Sequence, residues 1–431
     1  MASARSLLII SIDGLAPRYV TEADKLGLKI PNLRSFVASG AYARGVVGVV
    51  PTLTYPNHTT IVTGVLPAEH GIISNTFFDP TTKNRDGWYW YAEDIRVSTL
   101  WSVAHAAGLK TATVNWPVTV GDKNIDLLLP EFWRTSTPDD LKLLRAMARP
   151  EGYIAELEAK LGPFVDGNTD TIATDEVRTR FALEVLRRDK PQVIGVHLIA
   201  LDGTEHHDGP FQTTAYEVLE ALDRMIGELS AAALANDPDA TIAVVSDHGF
   251  IKTHTAVNFR TRFVEAGLIK LESGTQDGAI AVKSWDAQMW PGGGLAVVVL
   301  KDRENASARQ RVKAILDAVT SDARKPVARI LTAKEVADAG AFPDADFVVE
   351  LAPGFLSGIA FRGDLFTPST YKGTHGYLPQ REEMHASFFI KGTGIARRDL
   401  GVIDMRQIAP TFAKILGVSL PTARQAPLAL K

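Results

Sequence analysis

Three short runs in this chain are apolar almost throughout, and each ends on an aspartate. They read Leu-Leu-Ile-Ile-Ser-Ile-Asp13, Val-His-Leu-Ile-Ala-Leu-Asp202 and Ile-Ala-Val-Val-Ser-Asp247-His248. A strand with one wet face alternates apolar and polar residues, whereas a strand covered on both faces does not. These runs therefore predict buried parallel strands at 7–13, 192–201 and 241–246. Further candidate strands span 43–50, 110–115, 295–300, 346–351 and 386–391. Helical periodicity occupies 32–39, 57–63, 99–107, 141–161, 174–188, 214–236, 306–319 and 405–416. Strand–helix alternation with doubly covered strands predicts an α/β fold, a doubly wound and mostly parallel central sheet flanked by helices.

A length of 431 residues permits two or three domains of about 150 residues, or one large α/β unit carrying an insertion. The pattern favours the second. Between 257 and 370 it changes to a mixed α/β stretch containing Pro291-Gly-Gly-Gly294, read as a small inserted cap. Residues 1–256 and 371–431 then form the main domain. The polar segment 130–170 is read as a second, smaller excursion, and Trp285 and Trp290 as packing residues. No run reaches the roughly 18 apolar residues of a membrane span. The opening MASARSLLIISIDG reads as a strand, because no small-residue cleavage site separates its apolar part from Asp13. The expectation is a soluble protein of a bacterial-type cytoplasm, or of the periplasm after loss of a leader. Nothing in the sequence specifies an oligomeric state.

The net charge of −4 lacks the basic footprint of a nucleic-acid surface, so no nucleic-acid polymer is expected as partner. The chain has no cysteine. That excludes disulfides, thiolate zinc sites, a cysteine nucleophile and iron–sulfur clusters. Any metal must be held by oxygen and imidazole.

Ligands of open α/β sheets bind beyond the carboxyl ends of the strands. A single aspartate there is ordinarily a helix cap. Three of them, two with histidines close by, point to chemistry instead. Asp202 and His206 stand four residues apart and can converge on one cation. Their neighbours His207 and Asp208 are read as a solvated loop or as support for the ligands. Asp247 and His248 are adjacent, where a turning backbone lets both reach a metal. Late in the chain, Gly373-Thr-His375-Gly offers a third imidazole on a flexible backbone.

A hydroxyl-rich segment, Pro51-Thr-Leu-Thr54-Tyr-Pro-Asn-His-Thr-Thr-Ile-Val-Thr-Gly64, follows one apolar run. Pro56 and Gly64 match the start and stop preferences of a helix. Thr54 then lies near a helix N-terminus, where the macrodipole favours an oxyanion. A threonine hydroxyl needs a base or a metal to attack at neutral pH. Asn75, after the His70-Gly turn, has an amide able to donate to a phosphate oxygen.

Together these segments resemble the nucleotide pyrophosphatase/phosphodiesterases of the alkaline phosphatase superfamily. The resemblance is carried by IDGL from Ile12, PTLTYPNHTTIVTG from Pro51, HGIISN from His70, DGTEHHDGP from Asp202, SDHGF from Ser246 and GTHGY from Gly373. They occur in the family's order and span most of the chain. The resemblance implies an alkaline phosphatase-like fold and two Zn²⁺ ions per chain. It implies Asp202, His206 and His375 as ligands of one ion, and Asp13, Asp247 and His248 as ligands of the other. Thr54 matches the nucleophile, which also meets the metal. Asn75 matches the residue that helps bind a phosphate oxygen, joined in this reading by the backbone N–H of Tyr55. The Tyr55 ring matches an aromatic that stacks on the nucleobase or leaving group.

The implied reaction is a two-step in-line displacement through a covalent phospho-threonine, acting on a small phosphodiester or nucleotide. Two positions depart from the family pattern. His197 stands where nucleotide-selective members tend to carry an aromatic, and Leu378-Pro379 follows Tyr377 where Asp-Asn is common. Alternatives within the superfamily are a phosphonate hydrolase, a lipid-headgroup phosphodiesterase and a phosphomonoesterase. A sulfatase of the common type needs a cysteine-derived nucleophile. A non-catalytic metal- or nucleotide-binding protein ranks below these, since it has no use for the whole set.

Overall fold

The three aspartate-ended runs become neighbouring strands in the computed structural model, which describes residues 6–84, 87–134, 137–165, 169–272 and 280–431. Numbered along the chain, the main sheet comprises β1 Leu7–Ile12, β2 Ala41–Tyr42, β3 Thr111–Val114, β4 Leu127–Leu129, β5 Val193–Leu198, β6 Thr241–Val245, β7 Phe388–Lys391 and β8 Arg398–Asp399. Their order is β8-β2-β7-β6-β1-β5-β3-β4. β1 lies between β5 and β6 and runs parallel to both. In this sheet only β7 runs against its neighbours. The expected mostly parallel sheet is present.

Alternation within β1 shows why it had to be apolar at nearly every position. Leu8, Ile10 and Ile12 enter one core, under helices Pro31–Ser39, Ile172–Asp189 and Thr213–Asn236. Leu7 and Ile9 enter the other, against helices Thr54–Thr63, Leu100–Ala106 and Ile408–Leu416. Each fully buried Leu or Ile contributes about 1.5–3 kcal/mol. The same alternation runs through β5 and β6. Parallel strands so covered carry their carboxyl ends, and hence Asp13, Asp202 and Asp247, to one edge.

Two expected elements differ. The helix expected over 141–161 is two helices, Asp139–Met147 and Tyr153–Leu161. Pro150 separates them, since the residue before a proline is pushed out of the helical region. The strand expected over 43–50 shrinks to Gly45–Val47, which pairs with Val402–Asp404 outside the main sheet. Within 257–370 stands a four-stranded antiparallel sheet in the order Ala287–Gly292, Leu295–Leu300, Phe347–Leu351, Val327–Leu331. Trp290 is buried in its apolar layer, as expected of a packing residue. A further strand, Ile251–Val257, continues from β6 and pairs with Gly354–Ser357, Phe366–Pro368 and Gly373–Thr374. Parts of the 130–170 and 257–370 segments lie outside the described residues.

Candidate active site

The helix expected from residue 57 begins at Thr54 and ends on Gly64, whose φ of 72° is the left-handed cap that favours glycine. Every residue of that helix from Tyr55 to Thr63 is buried, and Thr54 alone is partly exposed. The approach to Thr54 is braced by Asn57, a residue the sequence reading passed over. Its amide donates to the carbonyls of Pro51 and Leu53, each at 2.8 Å, and its Oδ1 accepts from Val49 at 2.9 Å. Asn75 Oδ1 accepts the N–H of Tyr55 at 2.9 Å, which leaves the Asn75 amide as donor.

Asp13 and Asp247 leave β1 and β6 side by side. Helix Ala200–Asp208 follows β5, and its pitch places Asp202 and His206 on one face, one turn apart. That helix is held by Asp175, whose Oδ2 accepts the N–H of Ala200 at 2.8 Å. Arg178 pairs with the other oxygen of Asp175 at 2.7 Å. His375 arrives from far along the chain. Thr374 pairs with Ile251, so the next residue lies over the exit of β6. The rings of His375 and His248 stack at 3.6 Å.

Backbone carbonyls set the free nitrogen on two of these rings. His206 Nδ1 donates to Gly373 at 3.0 Å, and His375 Nδ1 donates to Thr52 at 2.9 Å. Each then turns Nε2 toward Asp202, at 3.6 Å from Oδ2 and 3.7 Å from Oδ1 respectively. His248 Nε2 lies 3.1 Å from Asp247 Oδ2 and 3.4 Å from Asp13 Oδ1. Ligand atoms about 2.0–2.1 Å from a tetrahedral ion stand roughly 3.3 Å apart, so these spacings suit shared cations. Asp202, His206 and His375 form one group of mutually close donor atoms, and Asp13, Asp202 and His248 another, each within 4.8 Å. Asp202 thus sits between the two.

The buried oxygens Asp13 Oδ1, Asp202 Oδ1 and Asp247 Oδ2 and both nitrogens of His248 have no hydrogen-bond partner. Such groups are costly to bury unless something compensates them. Their electrostatics carry the same demand. Burial, then the charges of Asp247 and Asp202, hold the Asp13 carboxyl well above its ordinary range. Burial also raises Asp202 against the pull of His206 and His248. In Asp247 burial acts the same way but is outweighed by His248 and His58, and its carboxyl is lowered. His375 is pushed far down by burial and by the neighbouring His248 and His206. A divalent cation would offset the crowded carboxylates and take up the free imidazole nitrogens.

Tyr55 is a correction. Its ring is 1% exposed and packs edge-on against Trp88, centroids 5.3 Å apart, so no face is free to stack on a substrate. Its N–H, expected on a phosphate oxygen, is occupied by Asn75. His207 is exposed and Asp208 half-buried, both on the last turn of helix Ala200–Asp208 rather than on a loop. His58 escaped the sequence reading. Its Nδ1 donates to the carbonyl of Thr54 at 2.9 Å and lies 3.6 Å from Asp247 Oδ2, while Nε2 contacts Ser11 at 2.8 Å. Its spacing of four from Thr54 in a helix was the available signal.

A cluster of this composition, at the carboxyl edge of such a sheet, belongs to the class of sites that could hold metal ions. The match to known proteins is more particular. Residues 7–378 match the family model described as type I phosphodiesterase / nucleotide pyrophosphatase, and the chain belongs to that family. The mouse ectonucleotide pyrophosphatase/phosphodiesterase family member 1 is 26% identical over 255 residues, 56% of this chain and 24% of its own length. An uncharacterized pyrophosphatase/phosphodiesterase of Schizosaccharomyces pombe is 25% identical over 58% of this chain and 45% of its own length. The chain therefore spans less than half of either relative. Human ectonucleotide pyrophosphatase/phosphodiesterase 5 shares the fold with a TM-score of 0.67 at 16% identity, covering 99% of this chain and 97% of its own.

Proposed function

We propose that this chain is a two-metal hydrolase of phosphodiester or phosphoanhydride bonds, with Thr54 as nucleophile. The unpartnered carboxylate oxygens and imidazole nitrogens around Asp202 and His248 carry the reading. Asp202, His206 and His375 would hold one ion, and Asp13, Asp247 and His248 the other. Imidazole and carboxylate ligands without thiolate suit zinc. Bound there, the ions would supply Lewis acidity, lowering the pKa of the Thr54 hydroxyl and offsetting phosphoryl charge.

The chain's own groups do the rest. Thr54 Oγ gives up its proton to solvent and forms a bond to phosphorus as the bond to the leaving oxygen breaks, and the leaving group takes up a proton from solvent. Water then cleaves the Thr54–phosphorus bond and restores the hydroxyl. Asn75 donates its amide to a non-bridging oxygen, oriented by the Tyr55 N–H. The 257–370 segment forms a cap over a main domain of 1–256 and 371–431. Murine ectonucleotide pyrophosphatase/phosphodiesterase 5, solved as an inactive form with AMP, supports a nucleotide as one substrate type. The buried Tyr55 ring favours a second reading, a diester whose arms carry no nucleobase, including lipid-headgroup esters.

The test is kcat/KM of zinc-loaded protein on p-nitrophenyl esters of a nucleoside monophosphate, of phosphate (mono and bis) and of a phosphonate. Diester turnover that falls at least a thousandfold in Thr54→Ala is expected. Equal turnover by that variant would remove the nucleophile, and absence of diester turnover would remove the reaction.

A further inference from the structure

The residue that departs from the family pattern in β5 lies in contact with a proposed ligand. His197 is fully buried, and its Nε2 lies 3.0 Å from Asp13 Oδ2. Its Nδ1 lies 3.0 Å from the carbonyl of Asn115. That carbonyl is itself fixed. Asn115 adopts φ 58°, a left-handed backbone that asparagine tolerates better than most residues. Its N–H donates to Leu129 at 2.8 Å, and its side-chain amide reaches back to the carbonyl of His197 at 3.5 Å. The two oxygens of Asp13 consequently differ. Oδ2 is held by His197, while Oδ1 has no hydrogen-bond partner and faces His248 Nε2 at 3.4 Å.

We propose that His197 is a positioning residue that holds Asp13 Oδ2 so that Oδ1 alone is presented to the ion beside His248. Partners of this kind orient metal ligands, and their loss weakens metal binding by about 10–100-fold. A neutral ring carries one proton, and placed on Nε2 it donates to Asp13, while the Asn115 carbonyl beside Nδ1 limits how far the ring can turn. Phenylalanine could pack in the same place but has no donor to hold the carboxylate. The proposal rests on the two-ion reading above.

The two ring nitrogens can be mimicked separately. In His197→Gln the side-chain amide falls near the place of Nε2 and keeps a donor for Asp13. In His197→Asn it falls near Nδ1 and keeps only the contact with Asn115. Zinc affinities are read by competition with a chromophoric chelator, with melting temperatures measured alongside. The expected result is two zinc ions per wild-type chain, one of them weakened about 10–100-fold in His197→Asn. The Gln variant restores that ion, and the other ion is unaffected in both. A purely structural role would lower melting temperature in both variants without separating the ions. Equal zinc affinities in wild type and His197→Asn overturn the proposal. A wild type that takes up no ion beside His248 overturns the two-ion reading and this one with it. If His197→Asn does not fold, a structure of zinc-loaded wild type decides. Monodentate coordination through Oδ1 supports the proposal, and coordination through Oδ2 or both oxygens overturns it.

Discussion

A threonine hydroxyl is nearly inert at neutral pH, so its surroundings decide whether Thr54 can react. Those surroundings are built one hydrogen bond at a time. Asn57 braces the strand-to-helix turn, His58 joins the Thr54 carbonyl to the Asp247 neighbourhood, and Thr52 fixes the ring of His375. Asp202 is the acid shared by both donor groups, with oxygens 3.6 and 3.7 Å from two imidazole nitrogens. Asp202→Asn keeps the shape of the side chain and removes its charge. Zinc per chain, counted by mass spectrometry after dialysis, should fall below that of wild type, and unchanged content would remove Asp202 from the ligand set. The clustering of the proposed ligand residues was legible in the sequence because metal chemistry demands a few residue types at strand ends. Tyr55 was not, because its burial depends on Trp88, a residue distant in sequence. His58 was equally hidden, since a buried ring bonded to backbone looks like any core histidine.

Among the elements, the strands were the most readable, because a doubly covered strand writes its burial into nearly every residue. Helices were read less well at their ends. The 141–161 pattern is continuous in apolar spacing, and Pro150 and Gly152 mark the break. The short Gly45–Val47 strand shows the opposite failure, where an apolar run is buried without joining the sheet. Helix Ala200–Asp208 depends on a residue outside itself. Asp175 satisfies its first N–H, and both Asp175 and Arg178 are almost fully buried. Asp175→Ala would leave the Arg178 charge uncompensated and the helix start unpaired. Removing one partner of such a pair costs about 3–5 kcal/mol. Denaturant unfolding should show a loss of that size, with weaker zinc retention, because this helix carries Asp202 and His206. A loss below about 1 kcal/mol, the range of an exposed pair, would contradict the role given to Asp175.

At the scale of the whole molecule, the site exists only when distant segments meet. β1, β5 and β6 bring Asp13, the Asp202 helix and Asp247 to one edge, and the Gly373–Thr374 strand returns His375 to them. Among the described residues no helix is long and apolar enough to cross a membrane. Stability should depend on pH through His70, which is fully buried and pushed down to about 3 by burial. Its Nδ1 accepts from Ile72 at 3.1 Å and its Nε2 contacts the Thr60 hydroxyl at 3.1 Å, a neutral ring. An unfolded histidine takes up a proton near 6.5. The unfolded state therefore binds more protons between about 6.5 and 3, and this contribution to stability is lost as pH falls through that window. His70→Asn keeps the acceptor and cannot titrate. Its stability deficit against wild type at pH 7 should narrow at pH 4.5, and a constant deficit would contradict the assignment. The central claim is the covalent role of Thr54. Zinc-loaded protein mixed with bis-p-nitrophenyl phosphate, quenched in acid within the first turnover and digested, should yield a phosphoester adduct on the peptide containing Thr54, absent from Thr54→Ala. Full turnover with no adduct on that peptide, or an adduct elsewhere that persists in Thr54→Ala, would contradict it.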